Sequence, residues 1–300
     1  MGKNSVFVSI TGRANVGKSS LLNALIGEKI AIVSDKPQTT RTGIKGVITK
    51  GCHQYVFVDT PGMHRAHNRL SEHMIKTIRS SNSDVDAILF LVEANRKISQ
   101  IEQELIAGFS GKNVMLLINK TDLVRDKTLI LKTIDEYKDF FEFSEIIPIS
   151  VKKKENLESI WPILAKYSVS SDEFFFSEDM STNQSERFWL SEIVREKLLY
   201  VLHEEIPHGI AVEIESMDKG LTNKGKQIID LGVVIICEKA SHKGIIIGKH
   251  GGVLKLIGSR AREELEDYFG CKVHMTLWVK IKEDWRNRES IILDLGLNSE

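Results

Sequence analysis

The chain has 300 residues, 42% of them hydrophobic, which is enough for about two domains with substantial cores. Lysine plus arginine and aspartate plus glutamate both number 41, so net charge excludes a general attraction to nucleic acids or membranes. The three cysteines are far apart and form no metal-ligand pattern. No signal peptide, myristoylation signal or apolar run of membrane-spanning length is visible. We therefore expect a reduced, cytoplasmic protein.

Apolar runs alternate with helical or loop segments through the first half of the chain. Buried strands are predicted at 6–10, 55–58, 87–92, 114–118 and 146–149, an edge strand at 44–49, and a helical or loop segment at 156–166. Such alternation predicts an α/β fold, with a mostly parallel sheet and helices on both faces. Ligands bind such sheets at the carboxyl ends of the strands. We assign this domain to residues 1–168.

The first predicted strand leads into the sequence GRANVGKS at residues 12–19, which fits the phosphate-loop pattern GxxxxGK[ST] at every specified position. Glycines let the backbone wrap around phosphates, and the exposed N–H groups point at negative charge. Lys18 is expected to reach the β- and γ-phosphates, and the Ser19 hydroxyl to bind Mg²⁺. The nucleotide-binding residues predicted here are Gly12, Arg13, Ala14, Asn15, Val16, Gly17, Lys18 and Ser19.

The second of these strands ends at the sequence DTPG, residues 59–62. Asp59 is placed to hold the Mg²⁺ shell from the other side. The Gly62 N–H can bond the γ-phosphate only while that phosphate is present, which makes the following segment a sensor of nucleotide state. The residues predicted to contact the nucleotide here are Asp59, Thr60, Pro61, Gly62 and Met63.

Two further strand ends carry the choice of base. Residues 119–122 read NKTD, and Asp122 can accept hydrogen bonds from both guanine donors, whereas adenine offers no such arrangement. Lys120 can lie along the base, Asn119 can brace the loop, and the 150–151 segment can place a backbone N–H on the guanine carbonyl. The predicted residues are Asn119, Lys120, Thr121, Asp122, Ser150 and Val151. The three motifs occur in the order of a guanine-nucleotide switch protein.

A polar linker is predicted at 169–184, with three phenylalanines at 174–176 that we expect to dock on a domain surface. Residues 185–300 follow as a second domain. Its helical and strand patterns occur in the order α-β-β-α-GxxG-α-β, which is that of the KH RNA-binding module in its bacterial, α+β arrangement. The GxxG turn, Gly248 to Gly251, would clamp a single-stranded backbone, because glycines let the sugar-phosphate approach.

A stretch from residue 239 to 262 contains no acidic residue, and this basic window surrounds the GxxG turn. Most charge runs are solvated faces, but one centred on a phosphate-clamping turn fits an RNA groove. The predicted RNA-binding residues are Lys243, Gly248, Lys249, His250, Gly251, Lys255 and Arg262.

Taken together, these residues resemble the Era family of bacterial GTPases, which combine one G domain with one C-terminal KH domain. The similarity covers nearly the whole chain. It includes Asn15, QTTR at 38–41, DTPG at 59–62, NKTD at 119–122, RF at 187–188, SHKG at 241–244, GKHG at 248–251 and WVK at 278–280. Ala14 stands where the family usually has proline, and Val151 where alanine is usual. Backbone amides remain at both, so we expect modest changes in affinity and a retained guanine preference.

The resemblance implies Mg²⁺-dependent hydrolysis of GTP to GDP, binding to 16S ribosomal RNA near its 3′ end, and a role in assembly of the small (30S) ribosomal subunit and in rRNA processing. It also implies peripheral contact with the inner membrane. We expect a monomer. The switch residues are Gln38, Thr39, Thr40 and Arg41. We prefer Thr40 to Thr39 as ligand of Mg²⁺ and γ-phosphate, so the predicted metal ligands are Ser19, Thr40 and Asp59. Arg41 is expected to be mobile and solvated.

How the attacking water is held is left open by the sequence. Ras-like enzymes place glutamine directly after the switch glycine, but Met63 occupies that position and cannot orient water. In relatives, a phosphate-loop asparagine ligates K⁺, so Asn15 either binds K⁺ or only braces its loop. Two functions follow: a slow GTPase that gates RNA binding, or an RNA-binding module regulated by nucleotide with negligible intrinsic turnover.

Overall fold

A computed structural model describes residues 2–63, 67–203, 206–222 and 225–297 of the chain. It contains two sheets, one of seven strands in the N-terminal part and one of three strands in the C-terminal part. The first is mostly parallel with helices on both faces, and the second carries its own helices. The predicted fold class is confirmed: an α/β domain followed by an α+β domain.

Strands and helices of the N-terminal part largely alternate. The strands are β1 (Lys3–Gly12), β2 (Ile44–Lys50), β3 (His53–Asp59), β4 (Ala87–Glu93), β5 (Val114–Asn119), β6 (Glu145–Pro148) and β7 (Val169–Ser171). The helices are α1 (Lys18–Ile26), α2 (Arg69–Ser83), α3 (Gln100–Ala107), α4 (Thr128–Lys138) and α5 (Ile160–Ala165). The helical or loop segment predicted at 156–166 contains the helix Ile160–Ala165. The short strand β7 was missed, because three polar or β-branched residues give no periodic signal.

The strand order of the first sheet brings the sequence motifs together. The order is β2-β3-β1-β4-β5-β6, with β7 pairing antiparallel to the start of β1. Strands β1, β3, β4, β5 and β6 are mutually parallel, while β2 is antiparallel at the predicted edge. The carboxyl ends of β1, β3 and β5 therefore lie on the same side of the sheet, where a ligand is expected.

The central strands are buried on both faces, which explains their continuous apolar runs. Along β4, Leu89 and Leu91 pack in a cluster with residues of α1 and α5. The alternate residues, Ile88 and Phe90, pack in a second cluster with residues of α3 and α4. This two-sided core fixes the ends of β1, β3 and β5 rigidly beneath the site.

The segment after β7 runs along the first sheet. The Phe175 ring meets the Phe7 ring edge-on at 5.0 Å between centroids. The carbonyl of Phe176 accepts a hydrogen bond of 2.8 Å from the Gln54 side chain. Of the three phenylalanines, the Phe175 ring and the Phe176 backbone thus dock on the first sheet, although Phe175 keeps most of its surface exposed.

The C-terminal part follows the predicted order of elements. These are α6 (Glu186–Val201), β8 (Ala211–Leu221), β9 (Gln227–Cys237), α7 (Ala240–Ile247), α8 (Gly252–Phe269), β10 (Lys272–Ile281) and α9 (Glu289–Asp294). Strand β9 is central, antiparallel to β8 and parallel to β10. Helices α6, α7 and α8 cover one face of this sheet through an apolar cluster that includes Ile193, Ile246 and Ile257.

The opposite face of the second sheet meets the N-terminal part. Leu70 and Met74 of α2 pack in one buried cluster with Val234 of β9, Trp285 and Ile292 of α9. The Trp285 indole N–H donates to the Gly209 carbonyl at 2.9 Å, so its polar atom is satisfied inside the contact. No helix among the described residues is long and apolar enough to cross a membrane.

Candidate functional site

The loop between β1 and α1 has the backbone that phosphate binding requires. Gly12 and Gly17 have φ of 150° and 105°, and a Cβ at Gly12 would lie 2.4 Å from the Leu91 carbonyl oxygen. At Gly17 a Cβ would lie 2.5 Å from the Asn119 amide nitrogen. Neither position therefore accepts a side chain. The loop borders a cavity of about 280 Å³ together with residues 32–36, 38–40, Gly62 and Lys120.

Lys18 lies inside this loop. Its ammonium donates to the carbonyl oxygens of Gly12 at 3.2 Å and Arg13 at 2.8 Å. Burial lowers the pKa of Lys18 to about 8, and the nearby Asp59 carboxylate opposes that shift. A bound phosphate would return strong charge-assisted hydrogen bonds to this buried cation. Of the other loop residues, Val16 is buried, and the Arg13 guanidinium lies 3.8 Å from the Glu102 carboxylate.

The three predicted metal ligands converge. The Ser19 hydroxyl donates to Asp59 Oδ2 at 2.6 Å and lies 2.8 Å from the Thr40 hydroxyl, which itself lies 3.3 Å from Asp59 Oδ2. Asp59 is fully buried, and its Oδ1 has no hydrogen-bond partner among the described residues. Burial raises the pKa of Asp59 to about 6, against the opposing effect of Lys18.

These oxygens fit Mg²⁺, which prefers hard oxygen ligands and is held by few protein groups. A divalent cation would satisfy the unpartnered Asp59 oxygen and restore the ionised carboxylate. Thr39 is placed differently, because its hydroxyl donates to the Lys36 carbonyl at 2.6 Å. The geometry therefore favours Thr40 over Thr39, as the sequence did.

The base-recognition residues are joined by one amide. Asn119 donates to the Val16 carbonyl at 2.8 Å and accepts from the Val151 N–H at 3.1 Å, so it ties the phosphate loop to the 150–151 segment. Ser150 donates to Asp122 at 2.7 Å, and this hydrogen bond lowers the pKa of Asp122. This hydrogen bond favours the ionised carboxylate of Asp122, which is the form that the predicted guanine contact needs.

The other residues predicted to bind the base are held by contacts within the protein. The Thr121 hydroxyl donates to the Ile149 carbonyl at 2.9 Å. Lys120 has φ of 64° and its ammonium lies 3.4 Å from Glu93. The sequence predicted that a backbone N–H of this segment donates to the guanine carbonyl. The Val151 N–H already donates to Asn119, so a guanine carbonyl would have to share that donor.

The segment after β3 is pinned to the phosphate loop. The Thr60 hydroxyl donates to the Ile10 carbonyl at 2.8 Å, and the Met63 N–H donates to the Gly12 carbonyl at 3.2 Å. A Cβ on Gly62 would lie 2.7 Å from Ala14 Cα, so glycine is required where the two loops touch. The Met63 side chain packs against an apolar cluster. Residues 64–66 lie outside the described residues.

In the first switch segment, residues 38–41, Arg41 is buried rather than solvated. Arg41 was expected to be mobile and solvated, but it is only 3% exposed. Its guanidinium donates to the carbonyls of Ile210 at 2.6 Å and His208 at 3.1 Å in the C-terminal part. The prediction was wrong because the second domain covers this residue, which sequence periodicity cannot show. Gln38, two residues before Thr40, has φ of 61°.

Asn15 braces the phosphate loop, which is one of its two predicted roles. Its amide donates to the Asp35 carbonyl at 2.6 Å, and its φ is 65°. The phosphate loop is thereby braced against the segment that leads to Thr40.

The GxxG turn joins α7 to α8, as the KH interpretation requires. Gly248 and Gly251 have φ of 72° and 74°, and Lys249 and His250 between them are exposed. A groove of about 460 Å³ runs from Gly251 between α8 and β10, and its walls include the predicted Lys255 and Arg262. Lys243 is half-buried on α7, outside that groove.

Comparisons with known proteins agree with the predicted fold class. The family model described as 50S ribosome-binding GTPase matches residues 7–120, and the KH domain model matches residues 205–286. The GTPase Era of Clostridium novyi is 44% identical over 97% of this chain and 98% of its own length. That of Clostridioides difficile is 43% identical over 99% of both chains. The chain belongs to the Era family of GTPases.

Solved Era structures share the whole architecture. One is a crystal structure of Era in complex with MgGDPNP and nucleotides 1506–1542 of 16S ribosomal RNA, with a TM-score of 0.93, 36% identity and 99% coverage of both chains. Another is a variant of Aquifex aeolicus Era bound to GDP and aluminium fluoride, with a TM-score of 0.92, 37% identity and 98% and 99% coverage. GTP hydrolysis is therefore the activity of this chain as a member of the Era family.

The groove beside the GxxG turn has walls that the sequence did not predict. Its second wall is β10, with His274 and Thr276, and its floor lies near Gly258, where a Cβ would approach the Leu277 side chain to 3.1 Å. Helical spacing was a signal for Gly258, because it lies three residues after Lys255 and four before Arg262, on the same face of α8. The wall formed by β10 could not be predicted, because the order of elements along the chain does not show which strand lies beside α8.

Proposed function

We propose that this GTPase binds 16S ribosomal RNA near its 3′ end and assists assembly of the 30S ribosomal subunit and rRNA processing, with the nucleotide state timing release. The observation that carries the proposal is the presence, on one chain, of the Ser19–Thr40–Asp59 cluster and of the basic GxxG groove. The Era complex with an RNA fragment from that region supports the choice of RNA.

In this proposal the residues of the N-terminal site have distinct tasks. Lys18 and the loop N–H groups bind the phosphates, while Asp122 and Asn119 select guanine. Ser19, Thr40 and Asp59 hold Mg²⁺, which would neutralise charge that develops on the phosphates. Gly62 is placed against Ala14, where its N–H can sense the γ-phosphate. We keep Asn15 as a proposed K⁺ ligand. Its amide nitrogen donates to the Asp35 carbonyl, and the amide oxygen is the atom that would bind K⁺.

In the C-terminal site, Gly248 and Gly251 shape the turn around the RNA backbone. Lys249, His250, Lys255 and Arg262 supply positive charge along it, and Lys243 adds charge nearby. The salt dependence of RNA binding should therefore be strong. The proposed domain limits are 1–168 and 185–300, joined by 169–184.

The second candidate is an RNA-binding module whose nucleotide domain hardly turns over. Met63 favours it, because a thioether packed into the apolar cluster cannot orient water. Under this alternative, nucleotide binding alone would regulate RNA affinity.

GTP hydrolysis in K⁺ buffer, with and without RNA carrying the 3′ end of small-subunit ribosomal RNA, separates the two. We expect a slow basal rate that this RNA raises and a shuffled RNA does not. Lys18→Ala should abolish nucleotide binding and serves as the blank. If the RNA binds tightly but leaves the hydrolysis rate unchanged, the second candidate is favoured. Equal rates in Na⁺ and K⁺ would remove the K⁺ proposal.

Location and assembly state are proposals of the same kind. We propose a cytoplasmic monomer with peripheral contact at the inner membrane. Separation of cytosolic and membrane fractions, and light scattering of the purified protein, test them directly.

A further inference from the structure

Helix α6 buries three charged residues against the N-terminal domain. Glu192, Arg195 and Glu196 are 6%, 3% and 3% exposed, and their i, i+3 and i+4 spacing puts them on one face. Glu196 accepts from the Val33 N–H at 3.1 Å and from the Lys29 ammonium at 2.7 Å. This charged face therefore lies against the segment that leads to Thr40.

Arg195 reaches the residue directly before Thr40. Its Nε and Nη2 donate to the two carboxylate oxygens of Glu192 at 2.6 Å each, and Nη2 also donates to the Thr39 carbonyl. The bidentate pair fixes the direction of the guanidinium. The same guanidinium therefore contacts both the Glu192 carboxylate and the backbone next to Thr40.

Arg41 is the residue directly after Thr40, and its side chain reaches into the C-terminal part. Its guanidinium donates to the Ile210 and His208 carbonyls, at 2.6 Å and 3.1 Å, and lies 5.8 Å from the Trp285 ring centroid. These partners all belong to the KH domain. The backbone is thus anchored to that domain immediately before and immediately after Thr40.

We propose that Arg195 and Arg41 are positioning residues that hold the Thr40 hydroxyl beside Ser19 and Asp59, so that the KH domain completes the metal site of the G domain. The inference rests on the proposed role of Thr40 as a Mg²⁺ ligand. Since a coupling free energy is reciprocal, Mg²⁺-nucleotide binding and the α6 contact then stabilise each other.

The test is a double-mutant cycle on the full chain, read as affinity for a fluorescent GDPNP analogue with Mg²⁺ and with EDTA. Arg195→Ala should weaken binding about 5- to 20-fold in Mg²⁺, within the range of measured site-to-site coupling, and leave binding in EDTA unchanged. Thr40→Ala should lose at least as much in Mg²⁺. Arg195→Ala added to Thr40→Ala should cost nothing further, because Arg195 acts through Thr40.

Two controls separate positioning from general stability. Arg195→Ala leaves Glu192 buried without its partner, so the pair replacement E192Q/R195M is measured beside it and should show the same Mg²⁺-dependent loss. Glu289→Gln weakens a different interdomain contact, with Arg69 at 3.8 Å and His73 at 2.8 Å. Its affinity should stay within about twofold of wild type, because this contact does not touch Thr40.

Three results would overturn the inference. Losses that add in the double variant, or that persist in EDTA, would show that Arg195 supports the fold rather than Thr40. An unchanged affinity for both Arg195→Ala and E192Q/R195M, with a clear loss for Thr40→Ala, would reject the positioning role but keep the metal assignment. No effect of Thr40→Ala on Mg²⁺ dependence would reject both.

Discussion

At the residue scale, the site depends on groups that are buried in an unfavourable state until ligands arrive. Lys18 is a buried cation whose pKa is lowered to about 8, and Asp59 is a buried acid whose pKa is raised to about 6. Both shifts are caused mainly by loss of water. Phosphate and metal would supply the missing opposite charges, so the site is less stable without them.

The stability of the nucleotide-free protein should depend on pH through Asp59. Its folded pKa of about 6 exceeds its ordinary value of 3.8, so the stabilising proton is fully bound below about pH 4 and lost as pH rises through 6. The difference corresponds to on the order of 3 kcal/mol. We expect Asp59→Asn to melt higher than wild type at about pH 7.5 and equally at about pH 4. If calorimetry gives the same difference in melting temperature between the two proteins at both pH values, the prediction is contradicted.

Asp122→Asn should change base preference. The substitution keeps the acceptor for Ser150 but removes one acceptor from guanine, and a hydrogen bond to a charged group is worth about 1.5–3 kcal/mol. GTP affinity should fall by roughly 10- to 150-fold, since 1.4 kcal/mol is tenfold. XTP, whose C2 carbonyl can accept from the new amide, should bind better. Competition against fluorescent GDP measures both.

Asp126→Asn is the matched control for that substitution. Asp126 is an exposed carboxylate that accepts from Thr128 and lies outside the base site. It should leave the competition by GTP, XTP and ATP unchanged. Equal competition by ATP and GTP in the wild type would refute the role of Asp122.

At the scale of elements, the turn between α7 and α8 is the most specific feature of the RNA site. Gly248→Asp would remove RNA contact, but a Cβ there lies 2.4 Å from Val253 Cγ2, and the φ of 72° disfavours any side chain. That variant therefore also disturbs the turn. Exposed Lys249 offers a cleaner change in charge.

Lys249→Glu should weaken RNA binding and spare GTP binding. Loss of one phosphate contact should reduce the slope of log affinity against log salt by about 1. Filter binding at several salt concentrations, beside fluorescent-nucleotide titration, gives both values. Lys132→Glu, on α4, is the matched control and should keep the wild-type slope. A normal slope for Lys249→Glu would place the RNA elsewhere.

At the scale of the whole molecule, the two domains share a buried contact. Leu70 and Met74 of α2 pack with Trp285 and Ile292, so the first helix after the DTPG motif lies against the C-terminal end of the KH domain. The charged α6 contact holds the first switch in a similar way. The segment around Thr40 and helix α2 therefore both contact the C-terminal part of the chain.

Met74→Ala should loosen this contact. Its side chain is fully buried, and such truncations cost about 2–5 kcal/mol. Because the cavity opens at the contact, hydrogen exchange should rise in α9 while β5 stays protected. Mass spectrometry of exchanged peptides measures this. Leu131→Ala, at an exposed leucine, should leave hydrogen exchange in α9 and in β5 unchanged. Unchanged exchange in α9 would show that the contact does not stabilise that helix.

The sequence predicted the strands and the glycine turns because local rules determine them. Continuous apolar runs appear where both faces of a strand are covered, and β1, β4 and β5 show it. The turn glycines were predicted from spacing alone, and Gly12, Gly17 and Gly248 do have positive φ. The short β7 was missed, because a three-residue strand carries no period.

What the sequence by itself determined is the fold class, the nucleotide motifs and the GxxG turn, since each follows from residue type and spacing within one segment. Only the tertiary structure decided that Arg41 is buried and that Arg195 contacts Thr39. It also decided that β10 forms a wall of the RNA groove. These contacts join residues up to about 170 positions apart, and whether a charged residue faces water or a neighbouring domain depends on packing that no local pattern encodes.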